Sequence, residues 1–97
     1  MRFVTLISMP NEAGNKAIKD GSLARVMQTT IERWKPEGAY FTTMNGERTA
    51  IMIVDLPTAA HMVEFAEPMF LQLGAKVDYH VAMNANDLKD GLAKIPR

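Results

Sequence analysis

His80 stands two residues from Asp78 in the segment KVDYHVAM, so in an extended chain the two side chains share one face. A histidine beside a carboxylate titrates near neutral pH and can take or give a proton, provided a ligand reaches it. Tyr40, in AYFTTM, and Arg48, in ERTAIMIVD, lie in other extended segments and are expected to approach His80 across strands. The phenol would then be a hydrogen-bond partner and the guanidinium an anion contact. Glu67 directly precedes Pro68 within a helical pattern, where the proline frees a carbonyl and polar groups gather. Turned inward, Glu67 would be a proton acceptor with a raised pKa. The catalytic candidates are thus His80, Tyr40 and Glu67, and the ligand-contact candidates are Arg48, Asp78, Met52 and Asn15. Each also has a plainer reading, as an interface histidine, an exposed helix glutamate or a solvated loop residue.

Other chemistries are excluded by what the chain lacks. There is no cysteine, hence no thiolate nucleophile, disulfide or iron–sulfur ligand. The phosphate-binding GxxxxGK[ST], the dinucleotide GxGxxG, the metal-binding HExxH and the nucleophile elbow GxSxG are all missing. No metal or cofactor is expected. Eleven Lys and Arg residues balance eleven Asp and Glu, so no net field gathers phosphate backbones. The segment RTAIMIVD also lacks the stacking aromatics of an RNA-reading sheet, and nucleic acid is not an expected partner. Apolar runs of about five residues are too short to span a membrane. The segment MRFVTLISMP has no long apolar stretch of a signal peptide, and a cytoplasmic location is expected.

The elements that must position these residues follow from the hydrophobic pattern. Arg2 to Met9 is rich in branched side chains and stops at Pro10, as a strand does. The segment PNEAGN is expected to be a loop, with Lys16 to Lys19 a short helical turn and Gly21-Ser22 a break and new cap. Asn15 would then line a mouth at the sheet end. Leu23, Val26, Met27, Thr30, Ile31 and Trp34 form one helical stripe, which Pro36 and Gly38 end. Trp34 reads as core, and the eight methionines as adaptable packing. Ala39 to Met44 and Glu47 to Asp55 flank Asn45-Gly46, a dipeptide suited to a two-residue hairpin turn. Pro57 and Thr58 open a second helix with Met62, Ala66, Met69, Phe70 and Leu73 inward, kinked or restarted at Pro68 and closed by Gly74. His61 on it reads as a surface residue. Lys76 to Met83 is a fourth strand, and Asn84 or Asn86 caps a last helix through Ile95.

The predicted order β-α-β-β-α-β plus a C-terminal helix is the ferredoxin-like α+β arrangement. It makes one domain over residues 1–97, with helices on one face of a four-stranded antiparallel sheet. Val77, Tyr79, Val81, Ile51, Ile53 and Phe41 are assigned beneath the helices. Tyr40, Thr42, Met44, Arg48, Met52, Asp78 and His80 are left on the open face, which is too apolar to stay wet. A second copy of the chain is the economical cover, giving a two-fold dimer with a cavity.

The EAGN segment with IKDGSL, the KPEGAYFTTMNGERTA hairpin, AEPMF and the terminal DYHVAMNANDLKDGL together resemble a small bacterial family of unknown function in the dimeric α+β barrel superfamily. The resemblance implies a homodimer with an internal cavity. The superfamily includes antibiotic-biosynthesis-type monooxygenases, muconolactone isomerases, haem-degrading enzymes and stress-responsive barrels, so membership implies no single chemistry. Its cofactor-free monooxygenases need positioning and a base, which His80, Tyr40 and Glu67 would supply. The expectation is a homodimer binding a small, partly apolar metabolite, with cofactor-independent oxygenase or isomerase chemistry. The alternative is a non-catalytic binding or interaction module whose mixed face is only the dimer seam.

Overall fold

The computed structural model describes residues 1–96. Strand β1 (Arg2–Met9) alternates buried and half-buried side chains along its whole length, the signature of a strand with one face under cover. Two helices follow, α1 (Asn11–Lys19) and α2 (Ser22–Trp34). Strands β2 (Gly38–Met44) and β3 (Glu47–Asp55) then form a hairpin. Helix α3 (Ala60–Leu73), strand β4 (Lys76–Val81) and helix α4 (Ala85–Ala93) complete the chain. Among the described residues the strands make a single antiparallel sheet in the order β2-β3-β1-β4, so the architecture is α+β with four strands and four helices.

Several local expectations hold for the reasons given. Asn45 and Gly46 both have positive φ, 54° and 76°, as the two-residue turn demands. Gly74 ends α3 in the left-handed region at φ 58°. Asn84 caps α4 reciprocally with Asp87, each side chain accepting the other's backbone N–H.

Other expectations need correction. The segment after Pro10 is not a loop but the first turn of α1, which Pro10 precedes in extended conformation. Gly14 sits inside this helix with Arg48 lying against it: a Cβ there would come within 2.7 Å of the Arg48 Nη1, the movable end of that side chain. The cap of α2 is Gly21 rather than Ser22, with the Asp20 carboxylate accepting the Ser22 N–H at 2.8 Å. No new segment starts at Pro68, and α3 runs through it as one element. The carbonyl deprived of a donor there belongs to Glu64, an exposed residue. Strand β4 stops at Val81 and α4 at Ala93, each two residues early.

The largest correction concerns β3. Its register pairs Met52 with Thr5 and Val54 with Phe3, and those β1 residues are buried beneath the helices. Met52, Val54 and Ala50 therefore face the helices, with Met52 and Val54 at 0% exposure, while Ile51 and Ile53 lie half-buried on the open face. Arg48 also belongs to the helix side. The assignments for β2 and β4 stand: Phe41, Val77, Tyr79 and Val81 share the helix face, and Tyr40, Asp78 and His80 the open one. Beneath α1 to α3 the core gathers Ile7, Met52 and Val54 from the sheet and Val26, Phe65 and Met69 from the helices. Thr5 is buried among them and donates to the Met52 carbonyl at 2.8 Å.

Candidate ligand pocket

The open face brings Asp78 and His80 side by side on β4, but not Tyr40. Tyr40 registers with Ile51, Ile51 with Leu6 and Leu6 with Asp78, so Tyr40 and the His80 strand occupy opposite edges of the sheet. Three strand spacings, about 14 Å, separate them. Arg48 and Met52 are on the other side of the sheet altogether. Glu67 is exposed on α3 and does not point into the core. The His80, Tyr40, Arg48 constellation expected across the strands is thus not assembled within one chain. Among the described residues no group of His, Asp and Glu side chains could hold a metal ion.

What the fold does assemble is a pair on the helix side. The Arg48 Nη2 donates to the Asn15 Oδ1 at 3.0 Å, so two of the ligand-contact candidates meet at the surface of α1. Arg48 is half-buried, and among the described residues no carboxylate lies within 4.0 Å of its guanidinium. A neutral amide satisfies part of its fork geometry and leaves its charge uncompensated.

One step along β3 from Arg48, an apolar pocket of about 360 Å³ opens between the helices and the sheet. Ile7, Met9 and Ala50 form its floor, and Ala17 and Ile18 of α1 one wall. Leu23, Ala24 and Met27 of α2 form the other. It exists because alanines stand where larger side chains would fill the gap, and because the helix layer stops short of β2. That strand is the sheet edge, and Phe41 on it is 60% exposed although it faces the helix side. Phe41 forms the rim. Among the described residues Thr49 is the one polar residue of the lining; in the alternation of β3 its side chain falls on the open face with Ile51 and Ile53, and its hydroxyl donates to the Glu47 carbonyl.

Elsewhere the polar and aromatic groups serve packing. Burial pushes the Tyr79 phenol pKa up, and its hydroxyl donates to the Met62 carbonyl. Trp34 packs edge-to-face on Phe65 and His61, with the Arg33 guanidinium 4.3 Å above its ring, which accords with a core-edge role. His61 accepts the Thr58 backbone N–H through Nδ1 near the start of α3.

Neither a scan against protein-family models nor a search of curated proteins returns a match for this chain. Among the described residues no helix is long and apolar enough to cross a membrane. The pocket was missed in the sequence because its lining reads as ordinary helix stripe. The available signal was the recurrence of alanine at positions 17, 24 and 50 among larger apolar neighbours.

Proposed function

We propose that the chain works as a homodimer of the ferredoxin-like, dimeric α+β barrel type and binds a small, mainly apolar molecule bearing one anionic group. The observation that carries this reading is the helix-side pocket of about 360 Å³ with Arg48 beside its floor. Ligand sites typically enclose ~300–1,000 Å³ of mainly apolar space with a few polar groups that fix orientation. The lining would take the apolar body, and the guanidinium, with no carboxylate against it among the described residues, would take the anion. Among the described residues no titratable side chain lines the pocket, so its chemistry supports binding rather than turnover.

The dimer is supported by the open face. Val4, Leu6, Ile51 and Ile53 make an apolar centre there, with Tyr40 65% and Met44 43% exposed at the β2 edge. An apolar sheet face of this kind is stabilised by a second layer, and the same face of another copy supplies one. Asp78 and His80 then fall in the seam as interface residues.

Thermal unfolding with decanoate and with decanol tests the ligand reading. Decanoate at saturation is expected to raise Tm by several degrees, since ligand at a hundred times its Kd adds about 2.7 kcal/mol. Ala24→Phe, which fills the pocket from its α2 wall, abolishes the shift. Arg48→Gln lowers the decanoate response to that of decanol. Equal shifts in wild type and Ala24→Phe would remove the pocket from the proposal.

A further inference from the structure

Helix α4 has no buried residue. Leu88, Leu92 and Ile95 nevertheless recur at i, i+4 and i+7, with exposures of 50%, 57% and 57%. Val81 and Met83, leading into it, are also exposed. A helix of nine residues does not hold itself together in water, and a cap adds too little to change that. Its apolar stripe needs a surface, and the described residues of its own chain leave it uncovered.

The size of the molecule says how much surface is missing. A compact protein of 10.8 kDa exposes about 5,500 Å². This chain exposes 6574 Å². Its radius of gyration is 15.5 Å, where a compact chain of this length has about 12.5 Å. The excess of roughly 1,000 Å² is close to the ~800 Å² that each partner buries in a standard stable interface.

From this we infer that α4 is an exchanged arm: each copy lays Leu88, Leu92 and Ile95 on the body of a second copy, and receives the same in return. The inference rests on the homodimer proposed above and adds to it a segment that no single chain can cover. Two-fold symmetry doubles each arm contact, so removing the stripe acts twice per dimer. The start of α4 is held in register by the Asn84–Asp87 cap, which fixes the direction in which the arm leaves the sheet.

The test uses the full chain. Wild type is expected to be a dimer at micromolar concentration by sedimentation equilibrium. Leu88→Glu with Leu92→Glu should weaken dimerisation by about 100-fold or more, as loss of two interface anchors does. Since neither residue is buried in the protomer, the variant keeps the circular dichroism of the sheet and of α1 to α3. A photo-crosslinking residue at Leu92 should yield covalent dimers on a denaturing gel. Unchanged dimerisation of the double variant, or crosslinks only within one chain, would overturn the arm and leave the open-face dimer standing. A wild-type chain that stays monomeric at high micromolar concentration would overturn both.

Discussion

Helices α3 and α4 carry much the same pattern and meet opposite fates. In α3, Phe65, Met69 and Leu73 recur every four residues and are sealed in the core. Leu88 and Leu92 of α4, with Ile95 just beyond its end, have nearly the same spacing and stand in solvent. The difference lies in what the chain provides opposite each stripe. Helix α3 follows β3, an inner strand, and folds back on the sheet, packing on β4, whereas α4 follows the edge strand β4 and leaves the body. Periodicity thus reveals that a helix face needs cover, and topology decides whether the same chain supplies it.

The sharpest break between the two helices comes from deleting one apolar side chain in each. Phe65→Ala removes a ring that touches both Trp34 and Tyr79, and should cost about 3–5 kcal/mol of protomer stability. Leu92→Ala should leave the denaturant midpoint of the dilute monomer unchanged within ~0.5 kcal/mol. A comparable loss from both would mean that α4 packs on its own chain.

The two faces of β3 give a second contrast of the same kind. Met52→Asp places a charge among Thr5, Val54 and the helices, and should prevent folding at ordinary temperature. Ile53→Asp, one residue along, lies on the open face. Its larger effect should be on dimer dissociation, read by sedimentation, with a fold recognisable by circular dichroism.

That contrast also measures what the sequence could disclose. The strands, the hairpin turn, α2 and the Gly74 cap are written in local chemistry that no tertiary contact has to rescue. The facing of β3 is not, since Ile51 and Ile53 are as apolar as Met52 and Val54. Yet the turn already held the answer. A two-residue loop at Asn45-Gly46 puts Phe41 opposite Ala50, so Phe41 and Ile51 cannot share a face. Applying that register would have carried Arg48 and Met52 to the helix side and dissolved the expected cluster with His80. Helix α1 was hidden for another reason. Gly14 and two asparagines read as a loop, whereas in the fold all three lie within the helix and the end of the Arg48 side chain crosses Gly14. The pocket depends on both misread segments, so it could not have been located before they were placed.

Helix ends supply a smaller contrast. Gly74→Ala forces a Cβ into the left-handed region and brings it 3.5 Å from the Ala13 Cβ, and should cost the protomer about 1 kcal/mol. Asn84→Ala removes the cap of α4, with a cost of about 1 kcal/mol confined to that helix. It should appear as faster amide exchange in residues 85–93, without a change in the Tm of the dilute protomer.

The smallest effect expected is in acid, where the start of α2 rather than α4 should respond. The Ser22 hydroxyl and backbone N–H, both beside Asp20, hold its carboxyl below the usual carboxylate range, and Lys16 and Arg25 add to this. A folded-state pKa below the unfolded value means that the native chain binds the proton less readily. The stabilisation is therefore complete above the unfolded carboxylate value of about 3.9 and is lost as pH falls through the lower native one. Between pH 7 and pH 5 the Asp20 contribution should be flat. Asp20→Asn retains an oxygen to accept the Ser22 N–H but cannot titrate, so its denaturant midpoint should fall less steeply than that of wild type below about pH 4. Because Asp20 joins α1 to α2 over the pocket wall, the difference belongs to the cooperative unfolding of the protomer. An equal acid slope in both proteins would show that the Asp20 contact does not survive in solution, and with it would go the fixed junction that holds Gly21 at the pocket.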